Sequence, residues 1–176
     1  ATQIIVEMMP ISSSGHIFLL QAVLQKYGFD ILTFFAQKKI NIKRFYYFLH
    51  LPTLLIVGIY FFPQWLSFVF HDGSVDIRPV IWIICADSIT GILFLIKPDV
   101  IDRFPIVIGF LVTAYALIKT SMCAGNKLIT SWNYYDAVIL GLAQAVALLP
   151  GISRLALTCF VGCLLGFSLL DAFCLS

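Results

Sequence analysis

The chain is predicted to be an all-α integral membrane protein, a multi-span helical bundle with two re-entrant, broken helical hairpins related as an inverted repeat. Three observations carry that expectation. First, 61% of the 176 residues are hydrophobic and only 11% are charged, whereas an ordinary soluble domain carries about 25% charged residues. Second, several long apolar stretches approach the roughly 20 residues that a helix needs to cross the hydrocarbon core. Third, two other apolar regions are interrupted by proline, glycine and small hydroxyl residues, and each interruption needs an explanation at membrane depth.

The first interrupted region, residues 1–27, is broken at Pro10-Ile11-Ser12-Ser13-Ser14-Gly15-His16. Proline lacks an amide donor and disfavours helix in the residue before it, so one helix should end there and another begin. Within a bilayer such a break survives only inside protein or beside a wet cavity. The second, residues 135–170, is broken in the same way at Pro150-Gly151-Ile152-Ser153-Arg154. The two regions resemble each other weakly: Gln3, an apolar run, Pro10, Ser12, Ser13 and His16 in one; Gln144, an apolar run, Pro150, Ser153 and Arg154 in the other. Paired interrupted segments in the two halves of a membrane chain point to a central binding site.

Between them lie three expected spans, at about 45–62, 79–96 and 104–118. Because three is odd, the hairpins should enter from opposite faces with their tips meeting near the midplane. The loop Gln37-Lys38-Lys39-Ile40-Asn41-Ile42-Lys43-Arg44 is the most basic connection. Short basic loops stay cytoplasmic, which puts the ends of the first hairpin inside. The chain starts at Ala1 and stops in an apolar run at Ser176, so it is expected to be a fragment truncated at both ends.

Charge and cysteine content remove other function classes. A net charge of +2 with no dense basic run gives no footprint for nucleic acid. The five cysteines, Cys85, Cys123, Cys159, Cys163 and Cys174, lack the spacing of a disulfide framework or a zinc site. They read as small buried hydrophobes.

The residues with chemistry gather at the breaks. Gln3 and Glu7 share a helical face that leads into the first one. An ionisable residue in a membrane segment is costly and marks a functional site by default; its expected partner is Arg154 or His16. His16 carries an imidazole, suited to proton transfer near neutral pH. Among Ser12, Ser13 and Ser14 at least one should cap the following helix. Arg154, just after Gly151 and Ser153, offers a guanidinium fork beside the exposed amides of a helix start, a combination that suits phosphate. Asp87 is expected to be satisfied within a polar patch with Ser88 and Thr90. A carboxylate, an imidazole, hydroxyls and a guanidinium converging between half-helices fit phosphoryl chemistry on a lipid.

These residues resemble the undecaprenyl-diphosphate phosphatase family, bacterial membrane enzymes associated with bacitracin resistance. Gln3-xxx-Glu7 running into Pro10-Ile11-Ser12-Ser13-Ser14-Gly15-His16 is similar to that family's (E/Q)xxxE and PxSS[ST]GH motifs. Pro150-Gly151-Ile152-Ser153-Arg154, with Thr158, is similar to its PGxSRSxxT motif. Leu49-His50-Leu51-Pro52-Thr53-Leu54-Leu55 and the run from Asp136-Ala137 to Gln144-Ala145 are similar to its LHLGTLLAV and DALLIGLAQA helices.

The resemblance implies removal of the terminal phosphate of undecaprenyl diphosphate, which recycles a carrier lipid for cell-wall synthesis. It implies the bacterial cytoplasmic (inner) membrane as location, with a polyprenyl diphosphate and membrane lipids as partners. Glu7 and His16 are implied in proton transfer, Ser13 as candidate nucleophile and Arg154 as diphosphate clamp. Gln3, Ser12, Ser14, Gly15, Gly151, Ser153 and Thr158 are implied at the phosphate site. Attack on phosphorus stays open between Ser13, His16 and water. A divalent cation, Mg2+ or Ca2+, is an optional cofactor, with Glu7 its ligand.

Departures from the pattern are Leu155 in place of the second motif's serine, Ala156 and Pro52 in place of glycines, and Asp87-Ser88 within a helix. Leu155 removes a hydroxyl beside the clamp and raises the alternative of a decayed, inactive copy. A second alternative is a transporter or flippase of an anionic polyprenyl lipid, since half-helices meeting at the midplane also build transporters. A lipid phosphatase of the acid-phosphatase-like type would need a histidine after Ser153-Arg154, but the histidines are His16, His50 and His71.

Overall fold

The computed structural model of the chain describes residues 12–28, 42–71, 74–96 and 104–176. Gln3, Glu7, the limb of the first hairpin that precedes Ser12, and the basic residues of loop 37–41 lie outside these. The described residues form seven α-helices, one 3-10 turn and a minimal two-stranded ladder.

Helix α1, Ser13–Lys26, starts directly at the first break. Lys26 in its last turn complements the helix dipole, and Gly28 follows in the left-handed conformation, φ 80°, as helix ends favour. Helix α2, Ile42–Val69, runs through Pro52 and Pro63 and so extends beyond the expected 45–62. It leads into a tight turn in which β1 (Phe70–His71) pairs antiparallel with β2 (Ser74–Val75), Phe70 opposite Val75. Asp76 then grips Arg78 with a fork of hydrogen bonds, Nε at 2.9 Å and Nη2 at 2.8 Å. That fork holds the Asp76 carboxyl below the usual carboxylate range. Its contribution is therefore present at neutral pH and lost as pH falls through the lowered pKa.

Helix α3, Arg78–Ile96, is long and apolar enough to cross a membrane. Pro79 sits in its first turn, where a missing amide costs nothing. The polar patch expected around Asp87 does not form. Ser88 and Thr90 donate back to Ile84 O (2.6 Å) and Ala86 O (3.2 Å) of their own helix, and Asp87 is exposed. Ser88 is thus satisfied within its own helix, while Thr90 also reaches Gly141 O and Gln144 Oε1 across the helix interface, at 3.2 and 3.1 Å.

Helix α4, Ile106–Thr120, buries Gly109, Thr113, Ala116 and Thr120, a four-three-four spacing that lays one narrow face against α6. Helix α5, Tyr134–Val146, opens with a capping box: Asp136 N donates to Asn133 Oδ1 at 3.1 Å, and Asn133 N to Asp136 Oδ2 at 3.0 Å. The chain breaks over 147–153 and resumes as α6, Arg154–Leu164. Gly166 (φ 90°) ends α6 in a Schellman motif, with Phe167 N donating to Gly162 O and Gly166 N to Cys163 O. Ser168 caps the last helix, α7, Leu169–Leu175. The expected second hairpin, 135–170, thus contains a second turn, and Asp171 serves that cap by accepting from Ser168 Oγ at 2.6 Å.

The interior is made of small side chains. Ala86, Ala116, Ala137, Ala143, Ala156 and Ala172 are buried, and Phe167 is the largest fully buried side chain among the described residues. Leu95, Ile59 and Leu54 instead face outward, 82%, 76% and 70% exposed. Small residues inside and large apolar ones outside is the arrangement of helices packed in lipid, where close backbone approach rather than water exclusion joins helices. Gly141 shows it on α5: an added Cβ would stand 2.8 Å from Ala86 O of α3.

One end of the bundle is fastened by the segment 121–133. Its Lys127 exchanges backbone hydrogen bonds with Gly166 (2.8 Å) and Ser168 (3.2 Å). The Lys127 ammonium lies 2.6 Å from Asp136 Oδ2 and 4.4 Å from the centre of the Phe167 ring. Cys123 and Cys163, 40 residues apart, form a disulfide. That corrects the expectation of five unpaired cysteines: the pairing depends on this segment folding back on the end of α6, which spacing along the chain does not encode. Asp136 is 4% exposed, so Asp136→Ala strips the carboxylate half of the capping box, the acceptor for Asn133 N, and the partner of Lys127. It is expected to cost roughly 3 kcal/mol in thermal unfolding of the detergent-solubilised protein, and Asp136→Asn, which can still cap, clearly less.

Candidate functional site

The first motif enters α1 through a strained residue. Ser12 has φ 62°, and it alone among the described non-glycine residues has a positive φ. That conformation is uncommon for a residue with a Cβ and tends to collect at functional sites. Ser12 is 5% exposed, and its Oγ is buried without a hydrogen-bond partner. A buried hydroxyl left unpaired at a helix start is poised to bond something that arrives there. Its carbonyl starts the helix by accepting from His16 N at 3.2 Å.

The same carbonyl receives His16 Nδ1 at 3.0 Å. A carbonyl can only accept, so Nδ1 carries the proton and, in the neutral ring, Nε2 keeps the lone pair. The His16 ring stands edge-on to Phe110, with centroids 5.2 Å apart. Gly15 is buried in the same corner: a Cβ there would lie 2.8 Å from Phe110 Cζ and 3.1 Å from Ser12 Oγ. Ser13 and Ser14 supply the first turn of α1.

The second motif is held more tightly. Gly151 takes φ 85°, and a Cβ would collide with Ile106 O. Ser153 caps α6, accepting from Ala156 N at 3.3 Å. Its own amide donates to Thr113 Oγ1 at 2.9 Å, and that hydroxyl donates onward to Gly151 O at 3.0 Å. Arg154, the first helical residue, is exposed and makes no ion pair with any described residue. Thr158 is fully buried, its hydroxyl donating to Arg154 O at 2.8 Å. In this conformation Thr158 ties the first turn of α6 together from within.

Helix α4 links the two motifs. Gly109 lies so close to the second break that a Cβ would run into Pro150 O and stand 2.8 Å from Gly151 Cα. The adjacent Phe110 carries Gly15 and His16. Two helix starts, each with unsatisfied amides, are thereby seated on neighbouring residues of one helix. Sequence reasoning passed over Gly109, Phe110 and Thr113. The available signal was a glycine and a threonine four apart, on one face of an otherwise large-residue apolar span. Among the described residues no three His, Cys, Asp or Glu side chains stand close enough to hold a metal ion, and Glu7, the candidate ligand, lies outside them.

A profile of the family described as "Bacitracin resistance protein BacA" matches residues 2–176. The chain belongs to this family. Relatives of this BacA-family chain include proteins named undecaprenyl-diphosphatase from Elusimicrobium minutum, 32% identical over 92% of the chain and 61% of the relative, and from Idiomarina loihiensis, 31% identical over 93% and 63%. "Undecaprenyl-diphosphatase 2" of Bacillus thuringiensis is 33% identical over 91% of the chain and 60% of its own length. The chain thus spans about three fifths of the curated relatives it matches. No solved structure matches it with comparable significance.

The packing of the BacA-family breaks yields a measurable contrast. Ser153→Ala removes a cap and is expected to cost about 1 kcal/mol in thermal unfolding. Gly109→Ala has to push two backbones apart and should cost more than Ser153→Ala in the same measurement.

Proposed function

We propose that the chain is the larger part of a membrane phosphatase that hydrolyses undecaprenyl diphosphate to undecaprenyl phosphate and inorganic phosphate. The observation that supports this best is the seating of the two breaks on one stretch of α4: Gly15 and His16 on Phe110, the Pro150–Gly151 bend on Gly109, and Ser153 N on Thr113. Helix-start amides, the unpaired Ser12 Oγ and the exposed Arg154 guanidinium supply donors for diphosphate oxygens. With Nδ1 committed to Ser12 O, His16 offers Nε2 for proton transfer. Attack on the terminal phosphorus comes from Ser13, from His16 or from water. Charge building on the equatorial oxygens is met by Arg154 and the amides. The family and the names of its relatives support the substrate class.

On this reading Glu7 shares in proton transfer. Gln3, Ser14, Gly15, Gly151 and Ser153 shape the phosphate site, with Thr158 bracing it. Segments 1–27 and 135–170 are re-entrant hairpins entering the bacterial inner membrane from opposite faces, around spans at 45–62, 79–96 and 104–118. Their breaks form the tips. A polar, irregular backbone at that depth is supported by the tight packing of 150–153 against α4.

The intact protein in detergent is expected to release inorganic phosphate from undecaprenyl diphosphate. Glu7→Ala, His16→Ala and Arg154→Ala should each lower kcat/KM by on the order of 10²- to 10³-fold. Transbilayer movement of the lipid without phosphate release would instead favour a flippase. Leu155→Ser should raise the rate if the missing hydroxyl limits it.

A further inference from the structure

We propose that Thr113, in the middle of α4 and outside both motifs, is a positioning residue that aims the start of α6, and with it Arg154, at the diphosphate; this rests on the phosphatase reading above. Thr113 is 4% exposed, and its hydroxyl is engaged both as acceptor and as donor. It accepts from Ser153 N at 2.9 Å and donates to Gly151 O at 3.0 Å. Those are the polar backbone groups on either side of Ile152, in a turn that has left α5 and not yet become α6. Of the turn's other groups, Ile152 N donates to Leu149 O at 3.2 Å. One hydroxyl therefore fixes both the exit from the Gly151 bend and the entry to the Arg154 helix.

Its location gives that hold a direction. Thr113 lies one helical turn from Gly109, which presses on Pro150 and Gly151, and the intervening Phe110 packs on Gly15 and His16. The Thr113 bonds thus lock the α6 start to the same stretch of helix that carries the first motif. They set the spacing between the guanidinium of one motif and the imidazole of the other. A merely structural threonine would hold the helices together without affecting how a bound anion meets Arg154.

The test uses Thr113→Val, which keeps shape and loses the hydroxyl, and Thr113→Ser, which keeps the hydroxyl. Rates are referred to folded protein. Small misplacement of a binding group is costly, so Thr113→Val is expected to raise KM or lower kcat by roughly tenfold or more, with Thr113→Ser restoring most of the rate. In an Arg154→Lys background the same valine change should add about twofold at most, because coupled residues are not additive. Inorganic diphosphate should raise the Tm of the wild-type protein and of Thr113→Ser, and fail to raise that of Thr113→Val.

Wild-type kinetics in Thr113→Val, effects fully additive with Arg154→Lys, or equal protection of both proteins by diphosphate would each overturn the assignment. If Thr113→Val does not fold, Thr113→Ala takes its place under the same criteria. If the wild-type protein releases no phosphate while diphosphate still protects it and the valine variant loses that protection, the phosphatase reading fails and the positioning role stands.

Discussion

The arrangement depends on one close approach, that of Gly109 on α4 to the Pro150–Gly151 bend. Both partners lack a Cβ at the point of contact, and neither position accepts one without moving backbone. In water such a contact would add little, since it buries almost no apolar area. In lipid, backbone proximity and hydrogen bonding are what join helices. The approach also brings the Thr113 hydroxyl within reach of Ser153 N and Gly151 O, so that irregular backbone at the break is satisfied by protein.

Around that contact the helices sort by side-chain size. Gly141 lies on Ala86, Gly162 on Ala172, and Gly125 on the backbone of Gly166 and Phe167, while the leucines and isoleucines of α2 and α3 face outward. Polar side chains inside are few and nearly all engaged: Thr90 donates to Gly141 O and Gln144 Oε1, and Lys127 meets Asp136. Against that background two groups differ. Ser12 Oγ is buried and unpaired, and Arg154 is exposed at a helix start. They stand at the two breaks; among the described residues the other buried side-chain group without a partner is Trp132 Nε1, in the segment that precedes α5.

Much of this was legible in the residues. Pro150-Gly151 announced the second break and Ser153 its cap; Gly15 and His16 announced the entry to α1. The run at 79–96 was readable as a helix because apolar length alone decides it. Other features were not. The span expected at 45–62 already runs through Pro52, but α2 also passes Pro63 and continues to Val69, since a carbonyl freed by proline can be satisfied again by local adjustment or neighbouring groups. Asp87 turned outward, since Ser88 is engaged with Ile84 O of its own helix and Thr90 with Ala86 O, Gly141 O and Gln144 Oε1. Cys123 found Cys163 across 40 residues, a distance over which no local pattern operates.

The sequence by itself determined the class, the helices and the chemical character of the two breaks. These are local consequences of hydropathy, proline geometry and the hydrogen-bonding capacity of serine, histidine and arginine. Only the tertiary structure decided that both breaks sit on Gly109 and Phe110, that Thr113 holds one of them, and that His16 is oriented through Nδ1. Those are lateral contacts between segments far apart in the chain. They are selected by fit between surfaces, which no periodicity along one strand of sequence records.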